Sequence, residues 1–406
     1  MTAEPPDRLS RAQLYLFAVA GGVVVANAYY IHPIVSQVAA EFGIGAGAIG
    51  AVPALNQIAL AIGIFLFLPL GDRMGNAKLA RVFVALQLIC VAGMAIADRF
   101  ELFVLASTLL GLVTIAPYLI PTYVSKRVAP EQMGHAMALL TTGVIMGILV
   151  ARVGAGVIGE YYGWRAVYGS AAALMLAVTI ALPLIMEGNR AANRAASAER
   201  PAMTYRALLA STLPIARAKP AVILSGIIQG LGFGVFLALW LGIGLHLPSI
   251  GYGVDVVGYL AAFTILNLFT TPYLGRVADR MGAEKARMFA ALTQIPGVIL
   301  LWFAGASLPI LVIAIVSFNL VGPLVDVCGR MTFLSEPPEI RTRLMTVYIM
   351  LMFIGGGLGS WLGTIAYDWA GWTGTCMLAL TFSLSMIALS AFSWWRSRRE
   401  IVSEPV

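Results

Sequence analysis

Three residues stand out because a charged side chain has no ordinary place where they sit. Arg152 is set in Ile-Leu-Val-Ala-Arg-Val-Gly-Ala-Gly, and Asp326 and Arg330 in Gly-Pro-Leu-Val-Asp-Val-Cys-Gly-Arg, both inside apolar stretches. A charge within a membrane-spanning helix costs at least about 2.5–3.5 kcal/mol on insertion scales, so such a residue normally faces a water-filled cavity and has a partner. Arg152 could attract an anionic group on a ligand or hold a carboxylate. It could equally form a structural ion pair or bond to backbone carbonyls. Asp326 is the only acid well inside any apolar stretch, and Arg330 follows it by one helical turn on the same face. Its carboxyl could bind and release a proton, or it could be a static partner for Arg330. At 1.5 Å of rise per residue, Arg152 and Asp326 lie about 10 Å apart in depth, so a direct bridge is not required.

His32 and His246 fall near the far ends of the first spans of the two halves, where an imidazole could relay protons or act as an interfacial hydrogen bonder. Tyr29, Tyr30, Asn56, Gln57, Tyr118, Tyr123, Gln229, Trp240, Asn267, Asn319 and Tyr348 are the remaining polar or aromatic candidates for a cavity wall. Aromatic walls with a few hydrogen-bonding groups suit amphipathic organic molecules, although some of these side chains will serve as interface anchors or glue between helices. Cys90, Cys328 and Cys376 are far apart in apolar runs and offer neither metal spacing nor a disulfide framework.

The elements that must position these groups follow from composition. Sixty percent of the 406 residues are hydrophobic and 11% are charged, far from the soluble norm of about a quarter charged. A spanning helix needs about 20 apolar residues. Twelve such stretches can be drawn, at 13–36, 46–70, 79–98, 101–124, 136–159, 165–186, 219–247, 254–275, 286–304, 308–333, 344–369 and 372–395. The net charge of +7 does not point to nucleic acid, because 22 of the 26 Lys and Arg fall at the chain ends or at alternate loops. That bias places both termini in the cytoplasm. The polar segment 187–218 reads as a cytoplasmic linker between six-helix bundles at 1–186 and 219–406, with an amphipathic stretch able to lie on the membrane surface.

The halves repeat. Asp-Arg-Met-Gly occurs at 72–75 and at 279–282, with a Lys at the same offset after each copy (Lys78 and Lys285). A second landmark, Gly163-Trp164 after Gly154-Ala-Gly-Val-Ile-Gly159, recurs as Gly371-Trp372 after Gly355-Gly-Gly-Leu-Gly359 at nearly the same offset. Two like bundles with a site between them is transporter architecture, and small residues at this density let helices approach and hinge.

At this point the residues resemble the major facilitator superfamily, over essentially the whole chain. Gly275-Arg-Val-Ala-Asp279-Arg280-Met-Gly282 is similar to the family signature of the loop between helices 2 and 3, which repeats between helices 8 and 9. The first copy has Leu68 in place of the leading glycine and Gly71 directly before Asp72. The glycine-rich fifth span, the run 341–359 and Ala26-Asn-Ala-Tyr29-Tyr30-Ile-His-Pro33 resemble the bacterial drug and metabolite–proton antiporter branch, the arabinose-efflux-permease type. The resemblance implies an all-α membrane protein of twelve helices in two pseudo-symmetric bundles, working by alternating access. It implies a conformational latch, with Asp72 against the start of helix 11 and Arg73 and Arg81 completing a charge cluster. Gly71, Gly75, Gly275, Asp279, Arg280 and Gly282 belong to the two latch copies.

The expectation is a carrier of the inner membrane that exports a small organic molecule by proton antiport, with the bilayer as its setting and a monomer as its form. An organic-anion uniporter or symporter clamped by Arg152 is the alternative, and a membrane-embedded enzyme or sensor is a remote one. The first four spans lack an internal Asp or Glu, and Ser107 stands where exporters of this branch carry an Arg, so coupling would fall to Asp326 or a histidine. No P-loop or H-E-x-x-H pattern is present, so neither an enzyme nor a bound cofactor or metal is expected.

Overall fold

In hydrocarbon an apolar run satisfies its backbone polar groups by closing into a helix, and that is what the apolar stretches do. The computed structural model describes residues 9–70, 74, 76–187, 204–334 and 336–403. Among the described residues, eleven helical stretches are long and apolar enough to cross a membrane. We number the first ten as spans 1 to 10: Arg11–Phe42, Ala46–Leu70, Asn76–Ile96, Phe100–Ser125, Met133–Tyr162, Trp164–Met186, Pro220–Ser249, Val254–Met281, Ala283–Phe303 and Leu308–Leu334. The last stretch, Ile340–Arg399, is two crossings, because Ala370 and Gly371 leave helical geometry and Gly371 takes a φ of 58° that a side chain would strain. Residues 338–369 and 372–403 are therefore spans 11 and 12. A further helix, Tyr205–Ala218, precedes span 7, N-capped by Thr204 and tied to span 2 by Tyr205 Oη donating to Leu66 O (2.6 Å).

Glycines set the packing inside each bundle. Span 1 lies against span 5 through Gly22, Gly143 and Gly147, where any added Cβ would overlap the facing backbone. Span 7 meets span 11 through Gly230, Gly234, Gly355 and Gly359 in the same way. Gly22 and Gly147 stand 208 residues before Gly230 and Gly355, so one contact is built twice. Between bundles, span 2 packs on span 11, span 5 on span 8, and the far end of span 1 on span 7.

Two spans break where they face the centre. Span 1 is helical over Arg11–Ala26 and again over Ile31–Phe42, with a turn between, and span 4 leaves helical geometry at Thr114 (ψ 60°). A break frees backbone groups that must find partners at this depth. Gln87 of span 3, fully buried, supplies one: its Nε2 donates to Val24 O (3.2 Å) and Thr114 Oγ1 (2.7 Å) and so ties the two breaks together. Gln87→Leu should destabilise the detergent-solubilised protein by about 1–3 kcal/mol, the cost of leaving a buried polar group without its partner. Thr381→Val, on an exposed helix face where the hydroxyl bonds its own turn, serves as the control. Equal melting midpoints for the two variants would count against the bridge.

The expected stretches match these spans closely, with two differences. Span 1 runs on to Phe42 because its polar end is tied down: Gln37 Nε2 donates to Gly159 O (2.9 Å), and Glu41 takes bonds from Trp164 and Arg165. The second signature copy is the last turn of span 8 rather than a loop: the helix reaches Met281, with Asp279 and Arg280 exposed, and only Gly282 (φ 80°) turns the chain. Gly275 lies within that helix. Gly71, Asp72, Arg73 and Gly75 of the first copy lie outside the described residues, and the expected latch against span 11 with them. Arg81 is in span 3, where its Nε donates to Ala77 O (3.3 Å).

Candidate functional site: a cavity between the bundles

The breaks, the glycine contacts and the inter-bundle seams leave two adjoining cavities at the centre. The first, about 340 Å³, is lined among others by Tyr29, Gln57, Tyr118, Ile148, Arg330 and Phe353. The second, about 310 Å³, is lined by Tyr29, Gln229, Asn267, Asn319 and Asp326, again with Ile148. Tyr29 and Ile148 belong to both walls, and Tyr29 owes its position to the break in span 1. The walls are mostly aromatic and aliphatic, with a few amides and one ion pair.

That pair is held at both ends. Arg330 Nε donates to Asp326 Oδ2 at 2.8 Å, and Tyr348 Oη donates to Oδ1 at 2.9 Å. Gly329 makes room for the Tyr348 ring, since a Cβ there would stand 2.8 Å from the ring edge. Tyr348 is itself fully buried in span 11, so the carboxylate is fixed from behind by one helix and from its own helix by Arg330. The pair is only partly covered, with side chains 29% and 39% exposed. Arg330 faces the first cavity and Asp326 the second, so opening the pair would change the charge presented to both.

Arg152 is not in either lining. It is 1% exposed and enclosed by rings, its guanidinium carbon 4.7 Å from the centroids of Phe236 and Trp240 and 5.2 Å from Tyr29. None of its guanidinium nitrogens has a hydrogen-bond partner among the described residues. Cation–π contacts of about 0.5–2 kcal/mol each stand where a carboxylate or a carbonyl was expected. The rings come from both bundles, Tyr29 from one and Phe236 and Trp240 from the other. His32 is fully buried beside Tyr29 with its ring edge-on, 5.5 Å between centroids.

The other sequence candidates separate into wall and frame. Gln57, Tyr118, Gln229, Asn267 and Asn319 reach the cavities. Asn56 instead donates to Ser107 O (2.7 Å) and joins span 2 to span 4. Tyr30 packs edge-on to Tyr168, and Tyr123 donates to Met186 O (3.1 Å) under Arg127. His246 bonds Gly305 O (2.7 Å) and stacks on Trp372, an anchor at the helix end. Sequence reasoning missed Phe233, Phe236, Phe353 and Gln294 as wall residues. Gln294 carried a usable signal, since it repeats Gln87 at the 207-residue offset of the signature motif. Arg287 was missed too: buried in span 9, it donates to Ser225 (2.7 Å) and Ser393 (2.6 Å) and knits three spans of the second bundle.

The two faces of the molecule differ. On the face away from the chain ends the bundles meet tightly: Gly244 lies against His32 O and Val35, Gly156 against Gly258, and Gly50 against Thr364. Towards the face bearing the chain ends, residues 266–281 of span 8 pack on spans 9 and 10 of their own bundle. Thr141, Val144 and Ile148 of span 5 are left lining the first cavity. The first cavity therefore reaches towards the terminal face along span 5, as far as Met137, while on the other face the bundles are in close contact.

Twelve spans in two repeated bundles, with a partly polar cavity between them sealed on one side, define a membrane carrier and not an enzyme. The chain belongs to the Major Facilitator Superfamily, whose sequence profile matches residues 17–336 and 260–405. It is 25% identical over 398 residues to the Uncharacterized transporter YgaY of Escherichia coli O157:H7, covering 97% of each chain. It is 23% identical over 306 residues to the Multidrug resistance protein MdtG of Klebsiella pneumoniae, covering 72% of this chain and 71% of that one. Among solved structures it is similar in fold to a bacterial homologue of the human lysosomal transporter Spinster, with a TM-score of 0.73, 15% identity and coverage of 95% and 96%.

Proposed function

We propose that this carrier exports a small, partly apolar organic molecule across the inner membrane in exchange for protons, with Asp326 as the proton-bearing group. The observation that carries the reading is the Asp326–Arg330–Tyr348 cluster in the wall of an aromatic-lined cavity. A carboxylate whose two partners sit on separate helices can trade one of them for a proton as those helices move. The excess of Lys and Arg at the chain ends and alternate loops supports a cytoplasmic terminal face. The cavity is then poised to take cargo from inside, and the likeness to a multidrug resistance protein supports export.

The test is reconstitution in proteoliposomes with an internal pH-sensitive dye and a panel of organic cations, neutral molecules and anions. Proton movement that starts only when a cargo is added is expected. Cargo flux with no proton movement overturns the coupling. A second reading, a facilitator for organic anions clamped by Arg152, is favoured by the guanidinium's lack of hydrogen-bond partners. It requires flux of anions alone that is lost in Arg152→Ala.

A further inference from the structure

The sealed face carries a device that neither the signature motif nor the cavity includes. At the far end of span 5, Glu160 Oε2 accepts a hydrogen bond from Val254 N at 2.9 Å. Val254 is the first residue of span 8, in the other bundle, so the acid of one half sits on the helix start of the other. Asp255 of span 8 shares that turn and accepts from Val256 N at 2.9 Å. At the far end of span 11, Asp368 lies over the start of span 2. Its Oδ2 is 3.1 Å from where a Cβ on Gly47 would stand, and its Oδ1 is 3.5 Å from one on Gly45.

These two acids hold matching positions, Glu160 with a hydrogen bond to the helix start and Asp368 lying beside one. Glu160 and Asp368 are 208 residues apart, and so are Gly45 and Gly253, the residues that open spans 2 and 8. The close approaches beneath them repeat as well: Gly258 meets Gly156, and Gly50 meets Thr364, again at an offset of 208 on each side. A residue type kept at matching positions in both halves, in contact with the opposite half each time, is hard to explain by packing inside one bundle. The physical basis is the partial positive charge and free N–H groups at a helix start, which favour a carboxylate.

We propose that Glu160 and Asp368 are paired positioning residues of the transport cycle: each clasps the first turn of a helix in the other bundle and holds the outer face shut while the cavity opens to the terminal face. Both clasps must part before the outer face can open, so they set the balance between the two states without touching cargo. The inference rests on the carrier fold alone and stands whatever the cargo or coupling ion.

The test uses Val35→Cys, a position fully buried in the outer seam, labelled in right-side-out vesicles with a membrane-impermeant maleimide. Protein keeping only Cys90, Cys328 and Cys376 gives the blank. A carboxylate at a helix start contributes about 0.3–1 kcal/mol, so Glu160→Gln with Asp368→Asn should speed labelling about three- to thirtyfold at about 1.4 kcal/mol per tenfold. Each single variant should give part of that rise, and Glu160→Asp with Asp368→Glu should restore slow labelling. In the same variants Met137→Cys, in the wall of the first cavity, should label more slowly from the opposite face. Unchanged labelling at Val35→Cys in the double variant overturns the proposal. So does a rise at both probes, which would mean general loosening, or an effect confined to one acid.

Discussion

Gly156→Val is expected to leave a folded, membrane-inserted protein whose transport falls about 5- to 150-fold. A Cβ at Gly156 would stand 2.8 Å from Val254 O and 2.9 Å from Gly258 Cα, both in the other bundle. Overpacking of this kind costs about 1–3 kcal/mol, which converts to that factor at about 1.4 kcal/mol per tenfold. The strain exists only while the outer seam is closed, so the variant should relieve it by staying open. Two neighbours in the same glycine-rich run provide the contrast. Gly147 faces the Gly22 backbone inside one bundle, so Gly147→Val should lower the melting midpoint in detergent and the yield of folded protein. Gly154 has nothing within 4 Å of an added Cβ, so Gly154→Val should behave as the parent. Transport rates and melting midpoints of the three variants check the set. Normal transport by Gly156→Val, or instability equal to that of Gly147→Val, would sink the assignment.

Asp326→Asn is expected to reduce proton-driven accumulation by about 100-fold or more while leaving cargo counterflow within a few-fold of the parent. Asparagine keeps the size and one acceptor for Tyr348 but cannot carry a proton, and it leaves Arg330 without its anion. Removing one partner of a buried pair costs about 3–5 kcal/mol, and the partial exposure of this pair places the loss below that range. The protein should therefore still fold, which makes counterflow a usable readout. Tyr348→Phe removes one hydrogen bond to the carboxylate (2.9 Å). Hydrogen bonds to charged groups contribute about 1.5–3 kcal/mol, so accumulation should fall about 10- to 150-fold. Loss of counterflow together with accumulation in Asp326→Asn would mean that Asp326 binds cargo or frames the cavity and does not carry the proton.

Much of this was legible before any coordinates. The spans were readable because hydrocarbon admits few solutions for a backbone, and Asp326 with Arg330 because an i,i+4 pair is fixed by helix geometry alone. The surroundings of Arg152 were not readable. Its ring enclosure is assembled from spans 1 and 7, and no local pattern states which helix face meets which. Asn56 misled for a related reason: an amide on a central span is equally fit for a cavity or for a neighbouring carbonyl, and only the position of Ser107 O decides. The role of Glu160 was open to reading in principle, since its repeat at Asp368 is visible once the halves are aligned by offset. It lacks the signal of a charge inside a span, because this acid lies at the end of one.

Set the halves over one another and a further asymmetry shows. Tyr118 of span 4 stands 208 residues before Asp326, and Thr122 stands 208 before Arg330. Both Tyr118 and Asp326 reach the central space, yet among the described residues only one half brings charge to it. The hinging contacts, by contrast, are present twice. As a machine, this carrier has a symmetric frame and a one-sided load: each half brings the same parts to the closed outer seam, while whatever is carried meets a charged wall on one flank and an uncharged one on the other. A passenger with a polar end and an apolar body would then travel in a fixed orientation, turned towards the same half at pick-up and at delivery.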